Sequence, residues 1–257
     1  MRSTMTSEPL VITFADSSYR PLLAIWLDRL KALEVRRVRV YALDDPLLDW
    51  CREREVDAAG VAWQGDLRDL WVQRIRVFSA LLAGGEEFIH SDADAIWVGN
   101  PLETGSARER DEDLVFSQGT IWPPDVFTRW GFVLCCGWFW ARPTPGARRF
   151  FAALEPDVAV SGDDQLSVNR VLAAVPMRWE CGRGPDYRLP FNGKALACWT
   201  APIRGASSDA SLSVTLLPHR EFQRLPEPSD RALVKHYLTP KNCEQKLLMF
   251  RQLGLIA

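Results

Sequence analysis

Phe88-Ile89-His90-Ser91-Asp92-Ala93-Asp94 runs from a short apolar strand straight into two aspartates one residue apart, and Ala95-Ile96-Trp97-Val98-Gly99-Asn100-Pro101 returns at once to apolar sequence. Two carboxylates at i and i+2 share one side of the chain if it stays extended. Such a pair can chelate one hard divalent cation, with diphosphate oxygens completing the coordination. Solvated aspartates at strand ends are common. Here Ile89, Ile96, Trp97 and Val98 flank the pair, and a buried carboxylate needs a metal or hydrogen-bond donors to offset its lost hydration.

Upstream, strand and helix alternate. Leu10 to Phe14 has strand length, Ala15-Asp16-Ser17-Ser18 follows, and Leu22, Trp26, Leu30 and Leu33 recur at helical spacing. Val38, Val40 and Ala42 alternate as a second strand, and Asp44-Asp45-Pro46 opens a short helix with a cap and a proline in the first turn. Gly60 to Trp63 reads as a third strand. From Asp66, the residues Leu67, Trp71, Ile75, Phe78 and Leu82 trace one face of a helix ended by Gly84-Gly85, and Phe88 to His90 is the fourth strand. This alternation predicts an α/β fold: a Rossmann-like, mostly parallel central sheet flanked by helices, with ligands beyond the carboxyl ends of its strands. Further on come a charged connector (Arg108 to Asp113), a strand at Leu114 to Ser117, and helices from Pro145 to Leu154 and near Gln165 to Ala174. Without a linker between the halves, residues 1–257 read as one domain, about 8–100 binding a nucleotide and about 101–257 shaping the pocket of a second substrate.

Composition excludes several classes. With 31 Lys+Arg against 33 Asp+Glu and a formal charge of −2, the chain has no basic face to lead nucleic-acid binding. The longest apolar run, Gly131 to Ala141, is too short to cross a bilayer, and the N-terminus lacks a charged-then-apolar signal layout. The expectation is a cytoplasmic protein with no transmembrane segment. Six scattered cysteines, none at the gap of a zinc knuckle, read as reduced thiols, with Cys135 and Cys136 as small buried hydrophobes. Trp122, Trp130, Trp138 and Trp140 crowd into nineteen residues; they are core side chains first, and a surface for stacking on sugar rings second.

The stretch from Phe88 to Pro101 resembles the D-x-D segment of retaining glycosyltransferases with the GT-A fold, a group that includes bacterial lipooligosaccharide galactosyltransferases, glycogenins and plant rhamnogalacturonan xylosyltransferases. Other motifs follow in the order of that group. Ala15-Asp16-Ser17-Ser18-Tyr19 resembles its first-strand loop for uracil and ribose, and Arg74-Ile75-Arg76 its basic helix motif. Gly137 with Arg142-Pro143-Thr144 is similar to the donor-sugar segment N-x-G, and Asp164-Gln165 with Asn169 to the catalytic segment D-Q-x-x-x-N. His236 matches the late metal-ligand histidine. Two positions depart: Cys135 stands where the group has Asn, and Lys241 falls one place early in H-x-x-G-x-x-K.

The resemblance implies transfer of a sugar, with retention, from a nucleoside diphosphate donor such as a UDP-sugar. Asp92, Asp94 and His236 would hold Mn2+ or Mg2+. Ala15, Asp16, Tyr19, Arg74, Asp92, Ala93, Gly137 and Lys241 would bind the donor, and Asp164, Gln165 and Arg74 would carry catalysis. The residues themselves leave alternatives. Arg74 falls among Leu67, Trp71, Ile75 and Phe78, with Arg76 opposite, so it meets either a ligand anion or a core carboxylate. His236, in the apolar run Ala232 to Tyr237, could be a core histidine, and Asp163-Asp164 could be helix caps. A non-catalytic carbohydrate or partner binder and a metal-dependent nucleotidyltransferase are the competing functions, although no glycine-rich phosphate loop precedes the first helix. A D-x-D phosphatase is disfavoured because its motif follows the first strand. The acceptor could be a glycan, a lipid-linked saccharide, a small molecule or a protein side chain. The amphipathic stretch from Cys243 to Leu255 is expected to pack on its own domain, with peripheral membrane contact as the alternative.

Overall fold

The computed structural model describes residues 8–107, 111–238 and 242–256. Strands β1 (Leu10–Ala15), β2 (Val38–Ala42), β3 (Ala58–Gly60) and β4 (Phe88–Ser91) alternate with helices α1 (Arg20–Ala32), α2 (Asp45–Arg52) and α3 (Leu67–Ala83). Next come β5 (Ile96–Trp97), β6 (Leu114–Gln118), α4 (Pro124–Trp130), β7 (Leu134–Ala141), α5 (Pro145–Ser161), α6 (Asp164–Ala174) and β8 (Met177–Trp179). The last part holds β9 (Tyr187–Phe191), β10 (Lys194–Cys198), β11 (Ile203–Ser207), β12 (Ser213–Leu216), β13 (Phe222–Gln223), β14 (Val234–Lys235) and α7 (Cys243–Gln252).

A nine-stranded sheet has the order β3-β2-β1-β4-β7-β6-β12-β11-β8. Neighbours among β3, β2, β1 and β4 pair in parallel, as do β6 and β12. β7 runs against β4 and β6, and β11 against β12 and β8, so the sheet is mostly parallel in strand direction, as the sequence predicts. Its central strands β1, β4, β6 and β7 are buried along almost their whole length because both faces are covered. Alternate residues divide between them: Ile12, Phe88, Phe116 and Phe139 join Phe78 and Phe151 on one side, and Val11, Ile89, Val115 and Trp138 join Trp26 and Leu30 on the other. Each such side chain contributes roughly 1.5–3 kcal/mol on burial.

Most helix starts are capped by side chains, two of them, Asp44 and Asp163, within the acidic pairs read as caps from sequence. Asp44, Asp66, Thr144 and Asp163 each accept a hydrogen bond from a backbone N–H in the first turn of α2, α3, α5 and α6. Two elements differ from expectation. β3 lies at Ala58–Gly60 rather than Gly60 to Trp63, because the parallel register sets Ala58, Ala59 and Gly60 against Val40, Tyr41 and Ala42. α5 continues past Leu154 through Pro156 to Ser161; Pro156 is on the exposed side, buried Val158 prolongs the apolar face, and Gly162 at φ 67° ends the helix. Phe250 of α7 and Leu255 pack with Leu22, Ile96 and Tyr237, so the C-terminal stretch does lie on its own domain. No helix among the described residues is long and apolar enough to cross a membrane.

Candidate functional site

β4 delivers the aspartate pair. Its alternation sends His90 toward Phe14, Phe78 and Phe139 and Ser91 to the other face, where Ser91 Oγ accepts the indole N–H groups of Trp26 (3.1 Å) and Trp97 (3.0 Å). Beyond Ser91 the chain turns instead of staying extended: Ala95 N donates to Asp92 O (2.9 Å) and Asp92 N to Gly137 O (2.8 Å) on β7. The two carboxylates thus converge through a turn, not through strand alternation.

Opposite them β7 is irregular. Its register with β6 shifts between Phe116, which faces Phe139, and Ser117, which faces Cys135, and Gly137 lies in the resulting bulge. A Cβ on Gly137 would stand 1.9 Å from His236 Cε1 and 2.8 Å from Asp92 Oδ2. Glycine is required here because the imidazole and the carboxylate occupy the side-chain space. His236, just past β14, places Nε2 3.3 Å from Asp94 Oδ1 and 3.7 Å from Asp92 Oδ2. One ligand atom from each of Asp92, Asp94 and His236 lies within 4.8 Å of the others. Two carboxylates and an imidazole are a donor set suited to a divalent cation.

The surroundings keep these groups ionised. Burial opposes the charge on Asp92, but Arg74, with His236 beside it, outweighs burial and holds its pKa well below the usual carboxylate range. Asp94 is held low against burial by His236 and Lys246. Burial and Arg224 would lower the pKa of His236, yet Asp94 and Cys135 raise it to about 9. With no cation bound the imidazole therefore carries a proton at neutral pH, and a cation binding at Nε2 would displace it. Cys136 behaves as the small buried residue expected. Cys135 does more: its Sγ accepts from Gly137 N (3.4 Å) and contacts His236 Nδ1 (3.7 Å), leaving Nε2 to face the aspartates.

Arg74 is 4% exposed on α3. Its guanidinium reaches Asp92 Oδ1 (3.4 Å) and Asp164 Oδ2 (3.3 Å), donates to His90 Nε2 (2.6 Å) and stacks 4.8 Å from the Trp71 ring. Burial and Arg74 push the His90 pKa down to about 4, so its ring is a neutral acceptor. Arg76, on the opposite face, pairs with Glu155 at the surface (2.7 Å). The two adjacent acids at α6 divide their work: Asp163 Oδ1 caps Leu166 N (2.8 Å), whereas Asp164, 7% exposed, faces Arg74. Burial, eased by Arg74 and reinforced by Asp92 and Asp163, raises the Asp164 pKa to about 6. Gln165 Nε2 donates to Trp122 O (3.0 Å). Asn169 pins α6 to β7, accepting from Leu134 N (2.8 Å) and donating to Leu134 O (2.9 Å) and Gln165 O (2.8 Å).

Arg74, Asp92, Asp94, Asp164, Gln165 and His236 line one cavity of about 490 Å³, together with Gly137 and Tyr19. An adjoining hollow of about 210 Å³ is walled by Ala15, Asp16, Tyr19 and Ala93; Asp16 also caps the turn at Ser17–Tyr19 by accepting from Ser18 N (2.9 Å). Lys241 lies outside the described residues. A larger hollow of about 800 Å³ beside Trp50 and Arg54 contains none of the predicted residues. Of the clustered tryptophans, Trp138 and Trp140 are buried and Trp130 half-buried, while Trp122 is 47% exposed.

Sequence reasoning missed His90, Arg224 and Lys246. Lys246 Nζ, on α7, pairs with Asp94 Oδ2 and lies 5.3 Å from the Tyr19 ring; Arg224 donates to His236 O (2.6 Å). A signal existed for Lys246: it stands four residues before Phe250, on the buried face of an amphipathic helix, as Arg74 does on α3.

An open, mostly parallel α/β sheet with an acid-and-imidazole cluster at the carboxyl end of β4 defines a ligand-binding protein of the nucleotide-binding α/β class. The chain belongs to the nucleotide-diphospho-sugar transferase family, whose profile matches residues 33–246. Arabinosyltransferase XEG113 of Arabidopsis thaliana is 22% identical over 156 residues, 54% of this chain and 24% of that protein, so this chain spans about a quarter of that relative's length. Similar solved structures include the galactosyltransferase LgtC with donor and acceptor sugar analogs (13% identity, TM-score 0.43, 63% of this chain and 69% of that one). Another is the apo-form glycosyltransferase GlyE of Streptococcus pneumoniae TIGR4 (13% identity, TM-score 0.48, 65% of this chain and 44% of that one).

Proposed function

We propose that the protein transfers a sugar from a nucleoside diphosphate donor, a UDP-sugar, to an acceptor hydroxyl with retention at the anomeric carbon. The observation that supports this reading is the convergence of Asp92, Asp94 and His236 with Arg74, Asp164 and Gln165 on one cavity. Asp92, Asp94 and His236 would hold Mn2+ or Mg2+, which supplies positive charge to the diphosphate as it departs. Arg74 is a buried, permanently charged group beside the same space, placed to favour the diphosphate most when its charge grows. The hollow of Ala15, Asp16, Tyr19 and Ala93 takes the base and ribose. Asp164, ionised above about pH 6, and Gln165 support the positive charge that develops on the sugar, either in front-face attack or through a covalent intermediate. Trp122, exposed and tied to Gln165 through its carbonyl, would offer the acceptor an aromatic surface near Gln165.

The test is donor turnover. With Mn2+, a panel of UDP-hexoses and UDP-pentoses should yield free UDP by slow hydrolysis, and NMR of the glycoside formed on an added acceptor alcohol should show the donor's anomeric configuration. Pentose donors belong in the panel because the Arabidopsis relative is named an arabinosyltransferase. Release of UDP from none of them, or inversion, would overturn the reading.

A further inference from the structure

The binding of a divalent cation at Asp94 has a competitor already in place. Lys246 is 8% exposed, and its ammonium contacts Asp94 Oδ2 while His236 Nε2 faces the other oxygen, Oδ1, at 3.3 Å. The lysine is held there by its helix. Asn242 caps α7, accepting from Glu244 N (2.9 Å) and Gln245 N (3.2 Å), and fully buried Phe250, one turn on and on the same face, anchors the helix against Leu22 and Ile96. Arg29 Nη2 donates to Leu255 O (2.8 Å), fixing the far end. Lys246 also lines both the cavity of Asp92, Arg74 and Gly137 and the adjoining hollow of Asp16 and Ala93. It therefore stands at the junction between the proposed cation and nucleotide sites.

A divalent ion on Asp94 would put like charge beside a buried ammonium that has just lost its counter-ion. A diphosphate entering the same cavity supplies the missing negative charge. We propose that Lys246 is a tethered cation that holds Asp94 in the empty site and makes cation binding depend on the diphosphate, to which its ammonium then turns. This rests on the functional reading above and adds a coupling residue that the sequence motifs do not contain. Lys246 opposes the cation alone and is relieved by the nucleotide, so its removal strengthens the cation alone and shrinks the gain that nucleotide brings. A purely structural lysine would not produce that pattern.

The experiment is calorimetric titration of Mn2+ into the whole chain with and without UDP, in the native protein, Lys246→Met, Lys246→Gln and Lys246→Arg, with melting temperatures confirming that each variant is folded. In both neutral variants Mn2+ alone should bind about tenfold tighter than in the native protein, and the factor by which UDP tightens Mn2+ should fall about tenfold. Lys246→Arg, which keeps the charge, should retain the native pattern. Unchanged or weaker Mn2+ binding in a neutral variant, or a UDP-induced gain preserved in full, would overturn the proposal. If neither neutral variant folds, the native protein still decides: Mn2+ affinity unaffected by UDP is contrary to it. Mn2+ and UDP both binding, with equal coupling in all variants, would remove Lys246 alone; no binding of either to any form would remove the functional reading as well.

Discussion

Asp164→Asn should stabilise the protein at neutral pH and destroy its proposed activity. Burial at 7% exposure raises the Asp164 pKa from 3.8 to about 6, despite Arg74 at 3.3 Å. A carboxylate with a raised native pKa favours the folded state fully below its unfolded pKa and loses that benefit as pH rises through the native one. Asparagine never ionises, so the variant escapes the loss. From those two pKa values the advantage of the variant is roughly 0.6 kcal/mol at pH 4 and approaches about 3 kcal/mol by pH 8. For a chain of this length that corresponds to a rise of very roughly 6–12 °C in melting temperature at pH 8. The assay is urea denaturation of the native protein and the variant at pH 4, 5, 6, 7 and 8, with chelator and without nucleotide. A variant less stable than the native protein at pH 8 would refute the reasoning, because the ion pair with Arg74 would then outweigh the burial. UDP-sugar turnover should fall at least a hundredfold in the same variant, the carboxylate facing the sugar having been lost.

Gly137→Ala drives a methyl into His236 and should cost about 1–3 kcal/mol in urea denaturation while abolishing Mn2+ binding; native Mn2+ affinity in this variant would contradict the packing described. Asn169→Ala strands the N–H and C=O of Leu134 and should destabilise by about 3 kcal/mol, read from the denaturation midpoint, with a loss below 1 kcal/mol counting against the pinning role. Trp122→Ala should change stability by less than about 0.5 kcal/mol and leave UDP-sugar hydrolysis intact. Transfer to a saccharide acceptor should weaken through a higher acceptor KM, and parallel losses of hydrolysis and transfer would argue against an acceptor surface.

Legibility from sequence followed the range of the forces involved. The strand-helix alternation from Leu10 to Ser91 was readable because side-chain periodicity and a cap such as Asp44 are local. Arg74 was readable too, since a cation among Trp71, Ile75 and Phe78 must find buried anions; the structure supplies Asp92 and Asp164 together, joining the alternatives of core ion pair and cavity wall. The division between Asp163 and Asp164 was not readable, because both fit a helix start and only the position of Arg74 separates them. Contacts between distant segments, such as Cys135 with His236 and Lys246 with Asp94, have no local pattern, and the β7 bulge that seats Gly137 depends on pairing with β6. The edge strand β3 starts two residues and ends three residues before the stretch the sequence suggests, because its position is set by register against β2, while Ala58-Ala59-Gly60 carries little apolar signal.

The most direct test of the account is the affinity of UDP for the native protein and Asp94→Asn, each measured in saturating Mn2+ and in EDTA. The account predicts that Mn2+ tightens UDP binding at least tenfold in the native protein and not at all in the variant. Equal UDP affinity with and without the metal, or a gain that survives in Asp94→Asn, would contradict it.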